Sequence, residues 1–114
     1  LISHLPQTIA VALVNAVLDG EPAGRALAYA GGGFRDGTRI AKSPALMWRD
    51  ILLANREPVL AALERFAIAS DRLRDAIADG DGGAIEAALQ RAAKARRRLD
   101  ASPRARATRR GEKA

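Results

Sequence analysis

Arg39 and Asp36 are the residues here best spaced for chemistry. They sit in Gly31-Gly32-Gly33-Phe34-Arg35-Asp36-Gly37-Thr38-Arg39. Three consecutive glycines give the backbone unusual conformational freedom and allow it to approach another group closely. Phe34 would anchor a short turn of helix, on which residues three apart are neighbours. A guanidinium held by an adjacent carboxylate is a pre-aimed fork for a planar anion. Spacing alone leaves two readings of Arg39: a clamp for a carboxylate ligand, or an arginine that ties down its own loop through Asp36. The glycine triplet favours the clamp. His4 and Gln7 lie one turn apart on a single helical face and offer a second set of polar contacts. Trp48 is the only tryptophan. It reads as core packing, or as the wall of a pocket with one polar atom to place.

The conventional catalytic sets are missing. The chain has no cysteine and one histidine, which excludes disulfides and thiolate metal sites and makes a zinc site improbable. It carries no Ser-His-Asp set and no Walker-type loop. No strand pattern precedes the glycine triplet, so it is not a dinucleotide fingerprint. The longest apolar run, Ile9–Val14, is far too short to span a membrane.

The elements that must position these residues read as alanine-rich helix. The chain has 114 residues, 48% hydrophobic and 4% aromatic, and is one domain by size. A first helix over 1–18 shows one face through Leu5, Ile9, Ala12 and Ala16 and another through Val11, Val14 and Leu18. It is apolar nearly all round, which suits a central or shared helix. Ser3 would cap it, with Pro6 in its first turn. A short helix follows from Pro22 to Ala30, then the motif loop. Ser43 and Pro44 open another helix as N-cap and first residue, ending near Asn55. Asn55 would cap a fourth helix to about Asp79, seamed by Val59, Leu63, Phe66, Leu73 and Ile77. Asp79-Gly80-Asp81-Gly82-Gly83 turns it into a fifth from Ala84 to about Leu99, which repeats the pattern with Ile85, Leu89, Ala92 and Leu99 and makes an antiparallel hairpin. No strand pattern or internal repeat is present. The expectation is an all-α domain of about five helices over 1–100, with a disordered basic tail over 101–114.

The net charge of +6 belongs to the C-terminal end. Residues 91–114 carry a net +8, and residues 1–90 a net −2. Arg96-Arg97-Arg98, Arg104, Arg106, Arg109 and Arg110 invite a nucleic-acid reading, a stand-alone helical interaction module with a basic tail. The absence of interleaved aromatics or a following recognition helix argues for a solvated terminus instead.

Taken together, Ser3-His4-Leu5-Pro6-Gln7, the run Gly31 to Ala41, Met47-Trp48-Arg49-Asp50-Ile51 and Asn55 resemble the C-terminal domain of the prephenate/arogenate dehydrogenase family. The resemblance spans Leu1 to about Leu99. It implies a helical dimerisation domain like the C-terminal domain of 6-phosphogluconate dehydrogenase, with a Rossmann domain in a preceding half absent from this chain. It implies a cytoplasmic enzyme of tyrosine biosynthesis, a homodimer without nucleic-acid or membrane partners. That enzyme oxidatively decarboxylates prephenate to 4-hydroxyphenylpyruvate, or arogenate to tyrosine, with NAD or NADP as hydride acceptor. The catalytic histidine and the cofactor site lie in the absent half, so this chain alone is expected to be inactive. Carried over, Arg39 matches the arginine that grips a substrate carboxylate and Asp36 the acid paired with it. Trp48 lies near the pocket, and His4 is the first histidine of a Ser-His-Leu-Pro-His run. Gln7 departs from that run. A neutral amide cannot take a positive charge, so the choice between prephenate and arogenate is expected to respond to it.

Overall fold

The computed structural model describes residues 4–20 and 31–101. Five α-helices and one 3-10 turn account for them, with no strand among the described residues. The helices are α1 (His4–Gly20), α2 (Gly32–Thr38), α3 (Ala45–Ala54), α4 (Arg56–Ala78) and α5 (Gly82–Ala101), and the 3-10 turn is Arg39–Lys42. The expected cap at Ser3, the short helix over 22–30 and most of the tail over 101–114 lie outside the described residues. The chain divides into two compact units, Leu1–Phe66 and Ala67–Ala114.

In the first unit α1 packs against α2 and the 3-10 turn. The packed strip of α1 is not one of the two apolar faces read from its sequence. Gln7 and Ala10 are buried, His4, Val14 and Val17 half-buried, and Ala12 and Ala16 exposed. Steps of three and four from His4 through Gln7, Ala10, Val14 and Val17 keep to one side of a helix. A helix apolar all round gives periodicity nothing to choose with, and here the chosen strip includes an amide. The buried apolar side chains are few: Ala10, Val59 and Ala62 among the described residues.

Two helix starts differ from expectation. Pro44, not Ser43, occupies the N-cap of α3, and its carbonyl accepts from the Trp48 N–H at 3.2 Å. The Ser43 hydroxyl turns back instead and donates to the Ile40 carbonyl at 2.6 Å, closing the 3-10 turn. Asn55 serves both of its neighbours. Its side-chain amide donates to the Ile51 carbonyl at 2.8 Å and so finishes α3, while its own carbonyl receives the Val59 N–H at 3.0 Å and starts α4.

In the second unit the turn between α4 and α5 is fully accounted for. The Asp81 N–H reaches the Ala76 carbonyl at 2.9 Å and the Gly80 N–H the Ile77 carbonyl at 3.1 Å, the paired bonds of a Schellman motif. Gly80 sits at φ +64° as that motif requires. The Asp81 carboxylate accepts from the Ala84 N–H at 3.1 Å, so α5 begins at Gly82, two residues before the expected start. Gly80→Ala should lower stability by about 1 kcal/mol, since only the left-handed backbone is at stake and nothing crowds a Cβ there. Urea unfolding at constant m-value measures it.

The expected α4–α5 seam is only partly made. Leu73 and Ile85 are half-buried, but Ile77 is 60% and Leu89 59% exposed. Between the helices lies a groove of about 650 Å³, lined in part by Ala69, Leu73, Ala76, Ala88, Ala92 and Ala95. Small side chains on both sides leave it open.

Candidate functional site

The site residues of the first unit gather on the packed strip of α1 and what lies against it. His4 stands in the first turn, where its ring meets the ring of Trp48 from α3 in a T, centroids 6.1 Å apart at 82°. That is edge-to-face geometry, favourable for paired rings. The contact does not serve Nδ1, which is buried and has no hydrogen-bond partner among the described residues. Such a group is rare and asks for a ligand or a water. Gln7, one turn on, is 4% exposed, and its Oε1 lies 3.5 Å from the Ser43 hydroxyl at the end of the 3-10 turn.

Arg39 opens the 3-10 turn. It lines an open depression of about 400 Å³ with Val14 of α1 and with Arg35, Thr38, Ala41 and Lys42. The expected pairing of Arg39 with Asp36 is not made, and both side chains are exposed. The reason is local. α2 stops at Thr38, whose φ −114° and ψ 2° interrupt the helix between the two residues, and the Thr38 hydroxyl bonds back to the Phe34 carbonyl at 2.6 Å. Three-residue spacing makes neighbours only on a continuous helix.

The structure thus joins His4 to Trp48 and sets Gln7 beside Ser43, and it places Arg39 on a depression walled by α1. Arg35 and Lys42 belong to that depression and were missed in the sequence. Helical spacing could not have grouped them, since the helix breaks at Thr38 between Arg35 and the other two; the only signal was three cations within eight residues. Ser43 was read as a cap alone. No group of three His, Cys, Asp or Glu side chains that could hold a metal occurs among the described residues. No described helix is long and apolar enough to cross a membrane. The described part of the basic run lies on exposed α5, where Arg96 pairs with Asp100. Arg104, Arg106, Arg109 and Arg110 lie outside the described residues, and no observation favours nucleic-acid binding.

Comparison with known proteins gives the family of the chain. The chain is 39% identical over 98 residues to the cyclohexadienyl dehydrogenase of Zymomonas mobilis, covering 84% of this chain and 33% of that protein. It is 38% identical over 81 residues to the prephenate dehydrogenase of Bacillus subtilis, covering 70% of this chain and 22% of that protein. A crystal structure of prephenate dehydrogenase from A. aeolicus, in complex with hydroxyphenyl propionate and NAD+, superimposes with a TM-score of 0.80 at 38% identity, over 88% of this chain and 35% of that one. The matched part of the chain therefore spans between about a fifth and about a third of the length of these relatives. Residues 1–91 match the family described as prephenate dehydrogenase, dimerization domain, and the chain belongs to that family as its helical dimerization domain.

Proposed function

We propose that this chain is the dimerising and substrate-binding part of a cytoplasmic NAD(P)-dependent cyclohexadienyl dehydrogenase, acting on prephenate or arogenate in tyrosine biosynthesis. The observation that carries the reading is the depression beside α1 rimmed by Arg35, Arg39 and Lys42, in a chain of this family. Both substrates are dianions or zwitterions with two carboxylates, and three cations on one rim attract them. Arg39 binds one carboxylate as a bidentate fork. The orphaned Nδ1 of His4 and the amide of Gln7 contribute polar contacts, with Trp48 fixing the imidazole.

The residues of this chain do not fit a dinucleotide. Its glycine triplet leads into a helix of seven residues, and no strand occurs among the described residues, so NAD or NADP is held outside it. What this chain supplies is orientation. Oxidation of the ring carbinol and loss of the ring carboxylate as carbon dioxide together aromatise the substrate. The side-chain carboxylate must be held while that happens. The protein works as a homodimer, because the exposed apolar residues of its helices need covering.

The test is direct. The full-length protein, given NAD+ or NADP+ and either substrate, should form reduced nicotinamide together with 4-hydroxyphenylpyruvate or tyrosine. Residues 1–114 alone should form neither. Absence of turnover by the full-length protein with both substrates and both dinucleotides would reject the reading.

A further inference from the structure

The Ser43 hydroxyl lies between two oxygens, 2.6 Å from the Ile40 carbonyl and 3.5 Å from Gln7 Oε1. It has one hydrogen to give. A backbone carbonyl can only accept, and the much shorter contact takes that hydrogen. The Gln7 contact would then set lone pairs against lone pairs, at a side chain only 4% exposed, where an unmatched polar group is costly. A carboxamide has two ends of almost the same shape, and which is which follows from the hydrogen-bond network. With the amide turned over, Gln7 Nε2 donates to Ser43 Oγ and Ser43 Oγ donates to the Ile40 carbonyl. The relay then runs in one direction from α1 into the 3-10 turn, each bond strengthening the next.

We infer that Ser43 is a positioning residue. It holds the Gln7 amide with its nitrogen against the 3-10 turn and leaves the carbonyl oxygen as the end that meets a ligand. The inference rests on the reading of Gln7 as part of the substrate site. Its chemical consequence is a preference. A carbonyl oxygen accepts from an ammonium group, which the amino-acid side chain of arogenate carries. It repels the keto oxygen that prephenate carries at the same carbon. Ser43 therefore sets the balance between the two substrates without touching either.

In the full-length dehydrogenase, Ser43→Ala frees the amide to rotate. It should reduce the ratio of kcat/KM for arogenate over prephenate about tenfold, the worth of one hydrogen bond, through KM and not kcat. Ser43→Thr keeps the hydroxyl and should restore the ratio to within about twofold. In a Gln7→Ala background, Ser43→Ala should not change the ratio further. Equal losses on both substrates, or the same loss without Gln7, would overturn the inference. If the enzyme turns over neither substrate, it is the proposed function that fails. The positioning claim is then decided by NMR of the same protein. The Gln7 side-chain NH2 resonances, identified by their loss in Gln7→Ala, should exchange with water about tenfold faster in Ser43→Ala, and unchanged exchange would refute it.

Discussion

Arg39→Ala in the full-length dehydrogenase should raise KM for prephenate or arogenate about ten- to hundredfold while NAD+ affinity stays as it was. A hydrogen bond to a charged group contributes about 1.5–3 kcal/mol, and a bidentate fork adds geometric selection to it. Arg39 is exposed and has no ion pair with Asp36, so its loss breaks nothing in the fold, and thermal stability should not move. That separates a binding role from a structural one. Arg39→Lys should recover only part of the affinity, because an ammonium is a point charge and cannot present two parallel N–H groups. Arg35→Ala and Lys42→Ala should cost less than Arg39→Ala and act mainly through the general field of the rim, so their effects should shrink as salt is added. A normal KM in Arg39→Ala would remove the assignment.

The arginine proposed for the substrate was conspicuous because its signal is one of residue type. A glycine triplet and an arginine three residues from a carboxylate stand out in a chain otherwise built of alanine and leucine, although nothing among the described residues approaches those glycines closely. Its geometry was less legible. The supposed Asp36–Arg39 pair relied on an unbroken helix, and the backbone at Thr38 leaves the helical region between the two residues, which spacing does not foretell. Ser43 shows the same limit. A serine before a proline and a helix is an ordinary cap by sequence, yet here its hydroxyl turns to the carbonyl behind it.

Four of the helices were readable from spacing and turn residues; α2 falls where a loop with a short turn of helix was expected, the expected helix over 22–30 lies outside the described residues, and no strand occurs among those described. Which faces the helices bury was not readable. On α1 a glutamine sits in the packed strip while Leu13 and Leu18 face outward, 42% and 40% exposed. Periodicity reports where apolar residues recur. It cannot say which apolar face meets this chain and which meets another, and in a domain that dimerises both kinds are apolar. The same confusion explains the α4–α5 seam. Its residues are spaced to be covered, but Ile77, Leu89 and Leu99 are all about 60% exposed in the single chain.

That exposure gives the second large effect. Leu89→Ala should weaken the homodimer about thirty- to a thousandfold. Burying a leucine side chain fully is worth about 1.5–3 kcal/mol, and at 59% exposure more than half of that surface is left for a partner to cover, about 1–2 kcal/mol. A two-fold axis makes the contact self-complementary, so one substitution deletes two side chains and the expected loss is about 2–4 kcal/mol. Lys94→Ala is the control: five residues further along α5, it lies about 140° round the helix, and the dimer should keep its affinity to within about twofold. Sedimentation equilibrium of the full-length protein over a range of concentrations reads both. A dimer that Leu89→Ala leaves intact would place its interface away from α5, and the apolar faces of α1 and α3, with Leu13, Leu18, Leu46 and Leu53 exposed, would then have to carry it.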